Sequence, residues 1–159
     1  MTANQIDAFA RSEMLIRKPV SEVFDAFINP EITTKFWFTK SSGKLATGKT
    51  VQWTWEMYDH TESVLVKTIE PNAKILIDWG ADGERTSVEW IFDPLDENST
   101  FVSITNKGFT GEIEKIISMI RDSTEGFTLV LAGLKALLEY NIQLNLVGDR
   151  FPKGLENRV

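Results

Sequence analysis

The pattern of apolar residues near the end of the chain predicts one long helix, from Ser123 to Leu144. Its apolar positions recur at helical spacing on one face: Phe127, Val130, Leu131, Leu134, Leu137 and Leu138. A second row beside the first widens the apolar surface: Leu129, Gly133, Ala136 and Tyr140. A helix with so broad an apolar surface must be enclosed, so we expect the segments before it to wrap around it.

Upstream of this helix, apolar and polar residues alternate as they do in half-buried strands. The clearest example is 50–58, where one face carries Val51, Trp53, Trp55 and Met57. The same alternation predicts strands at 9–17, 63–70, 74–79, 86–92 and 100–106, with turns between them that include a loop at 59–61. Sequential strands joined by short turns indicate an antiparallel sheet with one buried face.

Three shorter helical segments are also predicted. An amphipathic helix follows Pro19 and ends at Asn29-Pro30, and a short turn covers 31–37. Four isoleucines form a stripe within 112–121, and Gly126 predicts a break between this segment and the long helix. The isoleucine segment could be a lid over a cavity, an interaction surface, or a helix packed on the sheet edge. The expected fold is α+β: a curved antiparallel sheet wrapped around a C-terminal helix, with two short helices after the first strand.

Length, charge and composition narrow the class of protein. The 159 residues predict one domain, with a core over about 9–146 and a loosely held polar tail over 147–159. A net charge of −6 disfavours nucleic acid and anionic membranes as partners, and no segment resembles a signal peptide or a membrane span. A cytoplasmic location is expected. Because there is no cysteine, only one histidine (His60) and no glycine-rich phosphate loop, no metal or cofactor is expected.

Aromatic residues are the one excess in the composition, with five Trp, ten Phe and two Tyr. The strand alternation directs four tryptophans inward: Trp53, Trp55, Trp79 and Trp90. They either fill the core or form the wall of a cavity. Gly133 and Ala136 remove side-chain volume from the long helix, which leaves either space opposite the sheet or close helix–strand packing.

Three carboxylates have the opposite alternation to the tryptophans. Glu56, Asp78 and Glu89 each adjoin a tryptophan in sequence, which predicts that they lie on the outer, solvated face of the sheet. No acid–base pair is therefore expected inside the fold, and no serine-nucleophile motif is present. The sequence favours a protein that is not an enzyme.

Several motifs, in order along the chain, resemble those of a known family. Residues 23–27 (VFDAF) precede NPE at 29–31 and Phe36-Trp37, residues 66–79 resemble the family's central hairpin, and Gly108-Phe109 with 126–139 resemble its close. The pattern is similar to that of the activator of heat-shock-protein-90 ATPase homologue-like family. That family belongs to the START-like, or Bet v 1-like, helix-grip (SRPBCC) superfamily.

The resemblance implies a deep apolar cavity between the sheet and the long helix. The leading hypothesis is therefore non-enzymatic binding of a hydrophobic small molecule in that cavity. The alternative is a co-chaperone-like domain that contacts a heat-shock ATPase, and the third possibility is a cyclase, hydratase or hydrolase of the same fold. The residues expected to line the cavity are Phe24, Trp37, Trp53, Trp55, Trp79, Trp90, Phe127, Val130, Gly133, Leu134 and Leu137.

Overall fold

The structure is a computed structural model, and it describes residues 7–155. The architecture is α+β, as the sequence predicts, with an antiparallel sheet against one long helix. The seven strands are β1 (Phe9–Ile16), β2 (Lys40–Ser41), β3 (Thr50–Trp55), β4 (His60–Glu70), β5 (Lys74–Trp79), β6 (Thr86–Asp96) and β7 (Ser99–Lys107). The helices are α1 (Val20–Ile28), α2 (Pro30–Thr33), α3 (Ile113–Tyr140) and α4 (Leu146–Asp149).

Strands β2 to β7 form a continuous antiparallel meander, and β1 pairs with β7 at the far edge. The order across the sheet is therefore β1-β7-β6-β5-β4-β3-β2. The pairing is irregular in β4 between Val66 and Thr68, and in β6 between Pro94 and Asp96. Because a bulge bends its strand and increases the local twist, these irregularities help the sheet to curve around α3.

The alternation read from the sequence matches the two faces of the sheet. On β6, Val88, Trp90 and Phe92 are buried, and Glu89 lies on the other face in an ion pair with Lys74 (3.4 Å). The outer face also carries the ion pair of Asp78 with Lys67, and Glu56 is exposed in the 3-10 turn that follows β3. The three carboxylates that adjoin tryptophans thus lie outside the core, as predicted.

Helix α3 is continuous over 28 residues, so the predicted break at Gly126 is wrong. Glycine costs about 1 kcal/mol relative to alanine inside a helix, whereas a break would require a second nucleation and would leave unpaired N–H and C=O groups at two new ends. The helix ends at Tyr140 rather than Leu144. Asn141 adopts a left-handed conformation there (φ 52°), and its N–H donates to the carbonyl of Leu137 (2.9 Å).

Two strand boundaries also differ from the prediction. Strand β3 ends at Trp55 and a 3-10 turn covers Glu56–Tyr58, so His60 begins β4 instead of lying in a hairpin loop. Strand β6 continues past Pro94, where it pairs only with β7 because its pairing with β5 ends at Ile91. The missing N–H of proline therefore interrupts no ladder on that side of the strand.

A half-buried ion pair ties the C-terminal half of α3 to β1. The Lys135 ammonium donates to the carbonyl of Leu15 (2.8 Å) and to the Glu139 carboxylate (2.6 Å). The same carboxylate accepts a hydrogen bond from the backbone N–H of Arg17 (3.1 Å). Burial raises the pKa of Glu139, but these donors and the charge of Lys135 lower it by more, so the pKa lies below its ordinary value.

Candidate functional site

A cavity of 410 Å³ lies between the sheet and the N-terminal half of α3. Seven aromatic residues line it: Trp37, Trp55, Tyr58, Trp79, Phe109, Phe127 and Phe151. Aliphatic side chains of α3 and α4 complete the wall, among them Leu129, Val130 and Val147. Cavities of this volume and apolar character are the usual binding sites for small molecules.

Trp37 separates the cavity from the packed core. On the core side its ring centroid lies 4.8 Å from that of Trp53 and 5.9 Å from that of Trp90. On the cavity side it lies 5.7 Å from Phe127 and 6.1 Å from Trp79. The rings of Trp79 and Phe127 stack on each other at 5.8 Å, so the aromatic wall continues from the sheet onto the helix.

The short helix α2 positions Trp37. Pro30 occupies its first turn, and the Asn29 side chain caps it by accepting a hydrogen bond from the Glu31 N–H (3.1 Å). The N–H of Trp37 then donates to the carbonyl of Thr33 (3.0 Å), which continues the turn beyond the helix. The NPE motif therefore fixes where the chain leaves α2 and directs Trp37 beneath α3.

Three polar side chains interrupt the apolar wall: Thr86, Asn106 and Ser123. The amide nitrogen of Asn106, which is 3% exposed, donates to the Thr86 hydroxyl and to the carbonyl of Ser87, both at 2.9 Å. Its amide oxygen accepts from the Ser123 hydroxyl at 2.9 Å. The indole N–H of Trp79 donates to the same Thr86 hydroxyl at 3.2 Å. We call Thr86, Asn106 and Ser123 the hydroxyl–amide cluster.

The segment after α3 packs at the mouth of the cavity. The Tyr58 hydroxyl donates to the carbonyl of Val147, and the Phe151 ring lies 6.0 Å from the Tyr58 ring in an edge-to-face arrangement. The sequence predicts a loosely held polar tail from residue 147, whereas 147–151 here contribute three side chains to the cavity wall. The last part of that tail, 156–159, lies outside the described residues.

Charged side chains are confined to the mouth of the cavity. The Arg150 guanidinium pairs with the Glu125 carboxylate and lies over the ring of Phe151, its neighbour in sequence. Glu84 pairs with Lys115 at 3.0 Å. The remaining charge at the mouth is the exposed carboxylate of Asp122. Because the opposite charges within each ion pair cancel, the carboxylate of Asp122 gives the mouth a net negative charge.

Five of the eleven side chains expected at the cavity line it: Trp37, Trp55, Trp79, Phe127 and Val130. The other six do not line it: Trp53, Trp90, Gly133, Leu134 and Leu137 are buried, and Phe24 is half-buried and packs against the core. Among them, the Trp90 indole N–H has no hydrogen-bond partner within residues 7–155. At Gly133, an added Cβ would lie 3.3 Å from the Phe36 carbonyl oxygen, so the helix packs closely there and leaves no space.

Sequence reasoning missed the hydroxyl–amide cluster, although its positions carry a signal. Thr86 has the same strand parity as the buried Val88, and Asn106 the same parity as the buried Ile104. Ser123 precedes Phe127 by four residues and therefore lies on the buried face of α3. Polar residues at inward positions of both the sheet and α3 indicate a polar group inside the fold. The tail residues of the wall give no such signal, because no periodic pattern assigns them a face.

No group of three or more His, Cys, Asp or Glu side chains in 7–155 could hold a metal ion. Over the same residues, no helix has the length and apolar character needed to cross a membrane. The cavity combines an aromatic wall, the hydroxyl–amide cluster and an acidic mouth.

The family model described as "Activator of Hsp90 ATPase homolog 1-like protein" matches residues 17–139. The chain belongs to this family. The match begins just after β1 and ends just before the last residue of α3, and so covers strands β2 to β7 and nearly all of the helix that enclose the cavity. No curated protein matches the chain.

Solved structures give the same fold. The protein SSP2350 of Staphylococcus saprophyticus is 28% identical, with a TM-score of 0.75 over 86% of this chain and 96% of that one. An HSP90 activator from Plasmodium falciparum is 15% identical, with a TM-score of 0.66 over 82% and 96% of the two chains. DynU16, from the dynemicin biosynthetic locus, is 20% identical, with a TM-score of 0.74 over 87% of this chain and 49% of its own. The last two likenesses concern the fold alone.

Proposed function

We propose that this protein binds a hydrophobic, ring-containing small molecule in the cavity between the sheet and α3, without transforming it. The observation that carries the proposal is a 410 Å³ cavity lined by seven aromatic side chains. Aromatic faces favour flat ligands because stacked and edge-to-face contacts add about 0.5–1.5 kcal/mol per pair to apolar burial. A cytoplasmic location, expected from the sequence, is part of the same proposal.

The placement of the carboxylates supports a binding role over a catalytic one. Glu84 is held by Lys115, and Asp122 is exposed, so both carboxylates lie at the solvated mouth. The inner polar atoms belong to hydroxyl and amide groups that bond mainly to one another. Such groups orient a ligand, whereas general acid–base catalysis needs a group that titrates near the working pH.

Quenching of tryptophan fluorescence tests ligand binding directly, because Trp37, Trp55 and Trp79 lie in the wall. We expect saturable quenching by flat apolar compounds, together with a raised melting temperature, and no saturation with acyclic analogues of equal hydrophobicity. Gly126 offers a matched pair of variants, since a Cβ added there meets no atom within 4 Å. Gly126→Ala should bind as the wild type does, whereas Gly126→Leu should narrow the cavity and weaken binding about 10-fold or more.

Two outcomes would contradict the binding proposal. One is a folded wild-type protein that shows no saturable response to any compound of a broad aromatic and polycyclic panel. The other is a Gly126→Leu variant that binds as tightly as Gly126→Ala, since the ligand would then occupy another part of the surface.

Family membership favours a second candidate function, stimulation of a heat-shock ATPase by direct contact. The family takes its name from an activator of such an ATPase, and one structural neighbour is called an HSP90 activator. Helix α3 leaves Ile113 57% exposed and Ile117 47% exposed. These two side chains are neighbours on the helix surface, and adjoining exposed apolar side chains are typical of protein-interaction surfaces. These two side chains define the surface to test for this function.

The ATPase assay separates the two candidates. If the chaperone function holds, adding the protein should raise ATP turnover by a heat-shock ATPase of this class. The double variant Ile113→Ser with Ile117→Ser should then reduce the stimulation, and Gly126→Leu should retain it. Unchanged turnover at saturating protein would exclude this candidate and leave ligand binding unaffected.

A further inference from the structure

The hydrogen-bond partners fix the role of every atom in the hydroxyl–amide cluster. The carbonyl oxygen of Ser87 can only accept, so the atom of Asn106 that faces it at 2.9 Å must be the amide nitrogen. The amide oxygen then faces Ser123 and can only accept, so the Ser123 hydroxyl donates to it. The orientation of the amide is therefore determined by its surroundings.

The same reasoning shows that one hydrogen-bond donor, the Thr86 hydroxyl, is not used within the cluster. Thr86 Oγ1 faces the amide nitrogen of Asn106 and the indole nitrogen of Trp79, and both of these groups can only donate. The Thr86 oxygen must accept in both bonds, so its own hydrogen cannot be used in either. Within residues 7–155 that hydrogen has no acceptor, and Thr86 lines the cavity. The wall thus presents one fixed hydroxyl donor inside an otherwise apolar space.

We infer that the ligand carries an uncharged oxygen acceptor, a ketone, quinone or similar carbonyl, which accepts a hydrogen bond from the Thr86 hydroxyl. The inference deepens the proposed function and rests on it, because it concerns the polar end of the same ligand. The aromatic wall binds the apolar body, and Thr86 sets the position of the oxygen. A ligand without such an oxygen would displace water from this half-buried donor without replacing the hydrogen bond.

The charges around the cavity disfavour an anionic ligand. A carboxylate placed at Thr86 would lose its hydration in an apolar cavity, with no cationic partner among the described residues of the wall except Arg150. Arg150 is already paired with Glu125, and Asp122 at the mouth adds negative charge. The cavity therefore suits a neutral carbonyl better than the carboxylate of a fatty acid or an aromatic acid.

Three naphthalenes of nearly identical shape separate these chemistries. 2-Acetylnaphthalene carries a neutral carbonyl, 2-isopropenylnaphthalene replaces that oxygen with a methylene group, and 2-naphthoate replaces the methyl group with a charged oxygen. We expect the wild-type protein to bind the ketone at least 10-fold more tightly than the carboxylate. Because the ketone and the hydrocarbon differ in hydration, those two are compared through variants rather than directly.

Thr86→Val removes the hydroxyl and keeps the branched shape. It should weaken binding of the ketone about 3- to 10-fold and leave the affinity for the hydrocarbon unchanged within a factor of two. Thr86→Ser retains the hydroxyl and should retain the affinity for the ketone. An unchanged affinity for the hydrocarbon shows that the Trp79 wall has kept its shape after losing an acceptor at residue 86.

An infrared measurement needs no variant and so holds even if Thr86→Val fails to fold. The carbonyl stretch of the bound ketone should lie at lower frequency than in hydrocarbon solvent, because the Thr86 hydroxyl donates to it. An unshifted stretch would overturn the inference, as would equal losses of ketone and hydrocarbon binding in Thr86→Val, or carboxylate binding as tight as that of the ketone. If none of the three probes binds the wild type, the proposed function itself fails.

Discussion

The two ends of the space between the sheet and α3 are built from the same kinds of residue, yet one is packed and the other is open. At the packed end, Trp53 stacks on Phe38 with centroids 4.6 Å apart, and Gly133 brings α3 into contact with Phe36. At the open end, Trp79 and Phe127 border empty space, and Gly126 has no neighbour within 4 Å of an added Cβ. Trp37 stands between the two ends.

The comparison shows that a small residue on a helix does not by itself create a cavity. Gly133 and Gly126 lie on the same helix and both lack a side chain. The segment after α2 fills the space beside Gly133, since its backbone at Phe36 comes within 3.3 Å of an added Cβ. Within residues 7–155, no atom lies within 4 Å of a Cβ added at Gly126. The two glycines therefore differ in whether a distant segment of the chain, here the one at Phe36, packs against the helix at that position.

The largest effect that tests this contrast is expected from two tryptophans on β3. Trp53→Ala should lower the free energy of unfolding by about 3–5 kcal/mol, because its ring is 1% exposed and packed on all sides. Trp55→Ala should lower it by about half as much, since one side of that ring faces the cavity and loses few contacts. Urea denaturation of both variants measures the difference, and equal losses would mean that the cavity end is as tightly packed as the core.

Leucine substitutions at the two glycines give the next largest effect. Gly133→Leu should destabilise the protein by about 1–3 kcal/mol, since the side chain must displace Phe36. Gly126→Leu should leave stability unchanged or raise it by up to about 1 kcal/mol, because leucine favours the helix more than glycine does. Thermal and urea unfolding would show the opposite signs. A destabilised Gly126→Leu would contradict the presence of open space at that end.

The smallest effect concerns the ion pair that holds the packed end of α3 to β1. The pKa of Glu139 is lower in the folded protein than its ordinary value of 4.5, so its contribution to stability is present above that value and is lost as the pH falls through the lowered pKa. Glu139→Gln should be less stable than the wild type at pH 6, and the difference should shrink below pH 4.5.

Urea denaturation at several pH values between these conditions measures the contribution of Glu139. Glu97→Gln, in the exposed turn between β6 and β7, is the control and should show no such convergence. A gap between Glu139→Gln and the wild type that stays constant with pH would show that the charge of Glu139 does not stabilise the fold.

The fold is predictable because its main signals are periodic and local. The alternation around Trp53 and Trp90 assigns each strand a buried face, and the spacing from Phe127 to Leu137 assigns one to the helix. The errors fall at junctions. Gly126 lowers helix propensity by a small amount, and tertiary packing together with the cost of a second nucleation outweighs it.

The candidate site is only partly predictable, because periodicity states which side chains point inward and not which of them meet space. Trp53 and Trp55 have the same parity and the same chemistry. The Trp37 ring lies closer to Trp53 than to Trp55, and this position decides that Trp55 lines the cavity while Trp53 does not. The polar positions Thr86 and Asn106 were accessible to the same parity rule. The contribution of Phe151 was not, since it depends on contacts between residues far apart in sequence.

The bond between the Tyr58 hydroxyl and the Val147 carbonyl joins the cavity to the segment that follows α3. Val147, Arg150 and Phe151 of that segment line the entrance, whereas the sheet and α3 form the frame. Substitutions at these three positions could therefore change the ligands that enter while the frame keeps its architecture.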